Sequence, residues 1–288
     1  MEIALAEEQA FHYVPHFTIE VAHDRIEQKK TNLVAGTMGA LLSRPKPEEI
    51  QNVGVENRLE PFWSIEVSSR TAYDRHTTYL VPVSGLEVQH VSLLDHDIVP
   101  EVKGKDSLSF SIPAVEHCRE ERQVRRCFNG MSGEMADLAK YQAFAKTLVV
   151  DLSTFSPEGV LVVPPTVRAS AVVRQVISEV IKPVAQAHTI HEERVDVQAV
   201  ELNFLPVYAF DYAWTAKNKR VVVEFDALTG DMRAGGKKLG EQFAGQFKGV
   251  VSRDLVFDIT ADAVGMLVPG GSIAVKLVKA VVDRKKSG

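Results

Sequence analysis

Hydrophobic positions along the chain fall into helical and strand patterns that come twice. Val173, Val176, Ile177, Val180, Ile181 and Val184 recur at intervals of three and four, the stripe of an amphipathic helix. Pro183 predicts its end, because proline lacks the N–H and clashes with the preceding turn. Ile19, Ala22, Ile26, Leu33, Met38, Leu41 and Leu42 make a broader helical face, predicted to end by Arg44 because Pro45 and Pro47 follow. A short apolar run closing on proline precedes each helix, Phe11–Pro15 and Val160–Pro165. Aromatic and β-branched stretches follow, Phe62–Val67 and Val207–Tyr212, and predict strands. Turns are predicted at Tyr73-Asp74-Arg75 and Lys217-Asn218-Lys219, with return strands over Thr77–Val81 and Val221–Phe225. Glycine turns at Ser84-Gly85 and Asp226–Gly230 close them, and a third strand is expected over Leu86–Val91.

The two halves align at an offset of 145 without a gap. Val55 meets Val200, Glu56 meets Glu201 and Pro61 meets Pro206. Trp63 faces Tyr208 and Glu66 faces Asp211; further out, Glu48 meets Glu193, Arg75 meets Arg220 and Gly85 meets Gly230. The same order of elements on both sides predicts an α+β fold of tandem duplicated modules, each one helix packed on an antiparallel β-meander. The expected division is 1–94 and 159–238 for the modules, 95–158 for an irregular insert and 239–288 for a helical C-terminal tail. Whether the two sheets join into one is left open at this level.

The segment Val223-Glu224-Phe225-Asp226-Ala227-Leu228-Thr229-Gly230-Asp231 resembles the strand–turn–strand signature of PepSY-like domains, small helix-plus-sheet modules related in shape to cystatin folds. The first copy departs from it, since Val81-Pro82-Val83-Ser84-Gly85 has no aspartate. The resemblance implies a non-catalytic binding or regulatory module and transfers no catalytic residue.

In the insert, Leu108–Ile112 alternates like a half-buried strand, and a helix is expected from Gly133 to Ala145 with Ser132 as N-cap. Leu239, Phe243 and Phe247 suggest another amphipathic helix. Ala263–Val282 is very apolar but broken by Pro269-Gly270-Gly271 and by Lys276 and Lys279. Two short helices are expected there rather than a membrane span. Leu267, Ile273, Leu277 and Val281 are its candidates for self-association or peripheral membrane contact.

Charge and composition narrow the function. The 288-residue chain carries a net charge of −5, with ten Lys/Arg against six Asp/Glu from Asp231 onward. A pI near 6.0 and modules without a basic aromatic face disfavour nucleic acid. Two cysteines are too few for a disulfide framework, and the acidic start MEIALAEEQAF has no signal-peptide pattern, so a cytoplasmic protein is expected. Neither a phosphate loop, a nucleophile elbow nor a zinc-protease motif is present. His12, His16 and His23 straddle the predicted helix start at Pro15, and Cys118 and Cys127 lack paired zinc spacing, so no metal or cofactor is expected. The leading expectation is a non-catalytic binding or assembly protein whose partner is another protein or a second copy of itself. Trp63, Tyr208, Glu66, Asp211, His117 and Cys118 are its ligand or interface candidates. The rival is an enzyme using His117 and Cys118 in a cleft between modules; a third reading is a peripheral membrane scaffold using the tail.

Overall fold

The structure is a computed structural model that describes residues 1–43, 45–102, 107–240, 256–259 and 277–279. Strands β1 (Glu2–Leu5) and β2 (Glu8–Tyr13) open the chain. Helices α1 (Ile19–Glu27) and α2 (Lys30–Ser43) lead into β3 (Ile50–Val83), a strand of 34 residues. Short strands β4 (Val91–Leu93), β5 (His96–Ile98) and β6 (Glu101–Val102) follow, and β7 (Leu108–Asn129) returns beside β3. Then come β8 (Lys146–Leu148), β9 (Leu161–Val162), α3 (Ala169–Val180), β10 (Thr189–Trp214), β11 (Lys219–Asp226), β12 (Met232–Gly236) and β13 (Leu277–Lys279).

Among the described residues, all strands except the β4–β5 hairpin belong to one mixed sheet of eleven strands, with the spine β12-β11-β10-β3-β7-β6. β1 and β2 run parallel to β10 on the edge that β11 continues, and β9 runs parallel to β3. Each parallel pair joins strands far apart in the chain: α1 and α2 lie between β2 and β3, and α3 between β9 and β10, all within the long connection from β2 to β10.

This architecture corrects the expected α+β tandem of helix-on-meander modules. The aligned segments are not separate meanders. They are β3 and β10, paired antiparallel from Thr189↔Asp74 to Trp214↔Ile50 with Leu205 facing Glu60. The helices also pack elsewhere than expected. Ala22 and Ile26 of α1 bury against Tyr208, Phe210, Tyr212 and Phe225 of the later strands. Val173, Val176 and Ile177 of α3 bury against Trp63, Ile65 and Val67 of the earlier one. Long strands win because every added antiparallel pair satisfies backbone groups that a turn would leave to water. Tyr73-Asp74-Arg75 has an aspartate but no glycine or proline to force a turn, so β3 runs through it, and its partner is β7 from the predicted insert. The chain reverses only past Val83, where Gly85 has φ +101°.

Several local expectations change with it. The first helix is two, α1 capped by Thr18, whose hydroxyl accepts from Val21 N at 3.4 Å, and α2 broken at Gly36, φ +73°. Val91–Leu93 replaces the third strand expected over Leu86–Val91. The insert helix is absent: Gly133 takes φ +75°, Ser132 Oγ accepts from Glu134 N in a local turn, and only a 3₁₀ turn forms at Ala139–Ala143. In the tail, Leu277 lies in a strand paired parallel to β1 opposite Ile3, not in a helix. Leu267, Ile273, Val281, Phe243 and Phe247 lie outside the described residues. Among the described residues, no helix is long and apolar enough to cross a membrane.

Alternation along β3 and β10 gives the sheet two unlike faces. Leu59, Trp63, Ile65 and Val67 point to the helix side with Leu202, Phe204, Tyr208 and Phe210. Glu56, Arg58, Glu60, Ser64 and Glu66 occupy the intervening positions of β3, as Glu201, Asn203 and Asp211 do on β10.

Candidate functional site

The charged face is closed by its own ion pairs. Arg58 is 1% exposed; its Nε donates to Glu60 at 2.7 Å, its Nη2 to Glu224 at 2.5 Å and its Nη1 to the Lys237 carbonyl at 2.8 Å. Arg233 on β12 donates to the other oxygen of Glu224 through Nε at 2.9 Å. Burial holds the Glu60 carboxyl above the usual range, against the opposing pull of Arg58, and the nearby Glu224 adds to the rise. Asp211 is paired with Arg220 and with Lys238 Nζ at 2.7 Å. The Glu56 carboxylate accepts from Leu239 N and Gly240 N, each at 3.1 Å, and so lays residues 237–240 over the face. A Cβ on Gly236 at the end of β12 would meet Glu224 Oε1 at 2.2 Å, and one on Gly240 would meet Glu56 Oε1 at 2.9 Å, so a side chain at either position would displace a carboxylate of the cluster. Among the described residues each of these charges has a partner, and the Arg58–Glu224 pair ties β3 to β11.

Further along the same face lie Glu201, Lys146, Arg125 and Glu66. Lys146 Nζ donates to Glu201 at 2.7 Å, and Glu66 accepts from Gln123 Nε2 at 2.6 Å. An open groove of about 910 Å³ adjoins them, lined by Arg125, Cys127, Met135 and Leu138 among others. Burial pushes the Cys127 thiol up, so the groove holds a protonated thiol rather than a nucleophile.

Beyond Val67 the pair β3–β7 leaves the core and projects as a ribbon. β10 accompanies it only as far as Thr189↔Asp74; past that point β3 and β7 continue as a pair until β6 joins β7 at Glu101↔Ser109 and Val102↔Leu108. At this junction Asp74 accepts from His117 Nδ1 on β7 at 2.6 Å and from His191 Nε2 on β10 at 2.8 Å. These two hydrogen bonds, His191's first, hold the Asp74 carboxyl below the usual carboxylate range. His76 and His188 stack beside them, ring centroids 4.5 Å apart and planes within 9°. On the opposite ribbon face Arg75 and Tyr79 both donate to Glu116, at 2.7 and 2.5 Å. The far end of the ribbon is apolar and exposed: Leu86, Leu94, Val99 and Val102 all face water. Leu94 is 86% exposed and, with Asp95, forms the β4–β5 turn at positive φ, 50° and 61°.

The sequence candidates are thus dispersed. Trp63 and Tyr208 are core residues: Trp63 Nε1 donates to the Val167 carbonyl at 2.9 Å and Tyr208 OH to the Phe17 carbonyl at 2.9 Å. Glu66 lies beside the groove at Arg125, and Asp211 lies in the closed ion cluster. His117 and Cys118 are neighbours on one strand and point to opposite faces, so they share no pocket. Among the described residues no group of three or more His, Cys, Asp or Glu is arranged to hold a metal. Sequence reasoning missed Arg58 and the Asp74 group. Glu-x-Arg-x-Glu at 56–60 is a legible signal, since period two places all three on one strand face. The histidines gave none: His117 lies 43 residues and His191 117 residues from Asp74 in sequence, and only the pairing of strands brings them together.

No family model, curated protein or solved structure matches this chain.

Proposed function

We propose that the protein is a non-catalytic binding or assembly protein of the cytoplasm, and that the projecting ribbon is its binding element. The observation that carries this reading is Leu94. A leucine at positive φ is strained, and one that is also almost wholly exposed gains nothing from folding. Such a residue is explained by a partner that buries it. Leu86, Val99 and Val102, in the same connection between β3 and β7, are exposed apolar side chains as well, and exposed apolar surface marks protein contacts. The closed charge cluster and the continuous sheet between β3 and β10 agree with a binding role, since neither offers a cleft for chemistry. The PepSY-like turn at Asp226–Gly230 points the same way by resemblance.

A photo-crosslinking residue at position 94 tests the reading in cells. A discrete crosslinked species is expected there and not at Val150, which is 87% exposed but lies on the body of the molecule. Equal crosslinking at the two positions, or none at 94, refutes it.

A further inference from the structure

The ribbon end and the C-terminal residues are both apolar, and they carry opposite charge. At the ribbon end Leu86, Leu94, Val99 and Val102 face water, and Glu87, Asp95, Asp97 and Glu101 stand exposed among them. The whole connection from Ser84 to Ser107 has five carboxylates against two lysines. Residues 280–288 have the other sign: Ala280, Val281 and Val282 lead through Asp283 into Arg284, Lys285 and Lys286. We infer that the ribbon end receives the C-terminal segment 280–288 of a second copy of this chain, so that copies join head to tail. The inference rests on the reading of the ribbon end as the binding element and names its partner.

A chain does not reach its own ribbon end. Lys279, the last residue of β13, lies opposite Leu5 of β1; Leu5 pairs with Val197 of β10, and Val197 with Val67 of β3. β13 is parallel to β1, and β1 to β10, so β13 runs away from the ribbon. The stretch of β3 from Val67 to Val83 measures roughly 50 Å at about 3.3 Å per residue. Residues 280–288 span at most about 30 Å fully extended, at roughly 3.3–3.6 Å per residue. The segment therefore falls short of the ribbon end of its own chain and meets that of a neighbour. The chemistry of the two ends is matched. The valines cover apolar side chains that now face water, and the three basic residues meet the carboxylates around Leu94. Exposed ion pairs of this kind add little affinity, but they select the partner and speed its encounter. Two ribbon ends would instead set like charges against each other. Since the two contacting surfaces differ, the contact is heterologous, and repetition closes a ring or extends a filament.

Sedimentation velocity on the purified full chain tests it. Mass above the 31.8 kDa of one chain is expected as concentration rises. The association is expected to be weaker at about 0.5 M than at about 0.05 M salt, because the charges are exposed and screened. Leu94→Asp keeps the C-terminal segment, and a chain shortened after Lys279 keeps the ribbon end; each alone is expected to be monomeric. Mixed, they are expected to form a one-to-one dimer, because each supplies the end that the other lacks. A full chain that stays monomeric while position 94 still crosslinks in cells overturns the inference and leaves the ribbon end to a different protein. Absence of that crosslink is the separate failure of the reading itself. Self-association that survives both variants, or a mixture that stays monomeric when both are folded by circular dichroism, also overturns the inference. The full-chain measurement needs no variant and decides against it alone.

Discussion

Replacing Arg58 by methionine tests whether the charge cluster is as closed as it looks. Methionine keeps the length of the side chain and removes the cation, leaving Glu60 and Glu224 buried side by side. Removing one partner of a buried ion pair costs about 3–5 kcal/mol, because the remaining charge loses its compensation. In a protein of this size that lowers the melting temperature by roughly 6–20 °C. The cost has a pH signature. Burial already raises the Glu60 carboxyl and Arg58 opposes the rise, so removing Arg58 raises it further. An acid whose folded pKa lies above its unfolded value is stabilising below the unfolded value and loses that contribution as pH climbs through the folded one. Arg58→Met is therefore most destabilising near neutral pH and less so near pH 5, where Glu60 can take up a proton. Urea denaturation at the two pH values measures both terms. A companion variant, Arg58→Met with Glu60→Leu and Glu224→Leu, removes Arg58 together with both carboxylates and leaves Arg233, whose side chain is 75% exposed, to water; it should recover much of the loss, since an apolar replacement of similar volume needs no compensation. Arg58→Met within about 1 kcal/mol of wild type at neutral pH, the median scale of an exposed pair, refutes the claim of a closed cluster.

Three further outcomes follow from the same geometry. All six tyrosines have hydroxyls raised above the ordinary value: Tyr13 to about 12 by burial, Tyr79 chiefly by its hydrogen bond to Glu116, and Tyr73, Tyr141, Tyr208 and Tyr212 chiefly by burial. An alkaline absorbance titration should show little tyrosinate near pH 10 in the native state, and stability should fall as pH rises from there, because the unfolded chain gives up those protons first; six ordinary titrations would contradict this. Gly130→Ala places a Cβ 2.7 Å from the Pro61 carbonyl oxygen, where backbone must shift, and should cost about 1–3 kcal/mol in denaturant unfolding. Asp226→Ala removes the acceptor for Leu228 N and Thr229 N, at 2.9 and 3.1 Å, and for Tyr141 OH; a loss of about 1–3 kcal/mol is expected, with amide protection at 228 and 229 falling most.

What the sequence disclosed was local. The stripe Val173, Val176, Ile177, Val180 buries as predicted, Asn218 takes the left-handed turn between β10 and β11, and Gly230 closes the next hairpin at φ +78°. Each of these is decided by residues within one turn of each other. Pairing is not. The choice between a hairpin at Tyr73–Arg75 and a strand running through it is made by β7, some forty residues on, and nothing in the alternation of β3 names that partner. Helix placement is hidden for the same reason: α1 presents Ala22 and Ile26 to any apolar sheet face, and only the β3–β10 register decides that the face is Tyr208–Phe210. The Asp74 group was invisible because its members reach one carboxylate only once three strands have aligned.

The ribbon is where these long-range choices bear on function. Two antiparallel strands alone are marginal in water, and past Asp74 that is all the ribbon has until the two residues of β6 pair with β7 at its end. It is held there by cross-strand pairs, Arg75 and Tyr79 on Glu116, and by the small buried contact of Leu108 and Phe110 near its end. Its outer edge is guarded by charge: β7 carries Arg119, Glu121 and Arg125 at exposed positions, which discourages strand addition along its length. On the proposed reading, an edge protected against indiscriminate pairing, leading to an end that exposes Leu94, Val99 and Val102, would direct contact to that end, and a partner covering those side chains would recover the stability that their exposure forgoes.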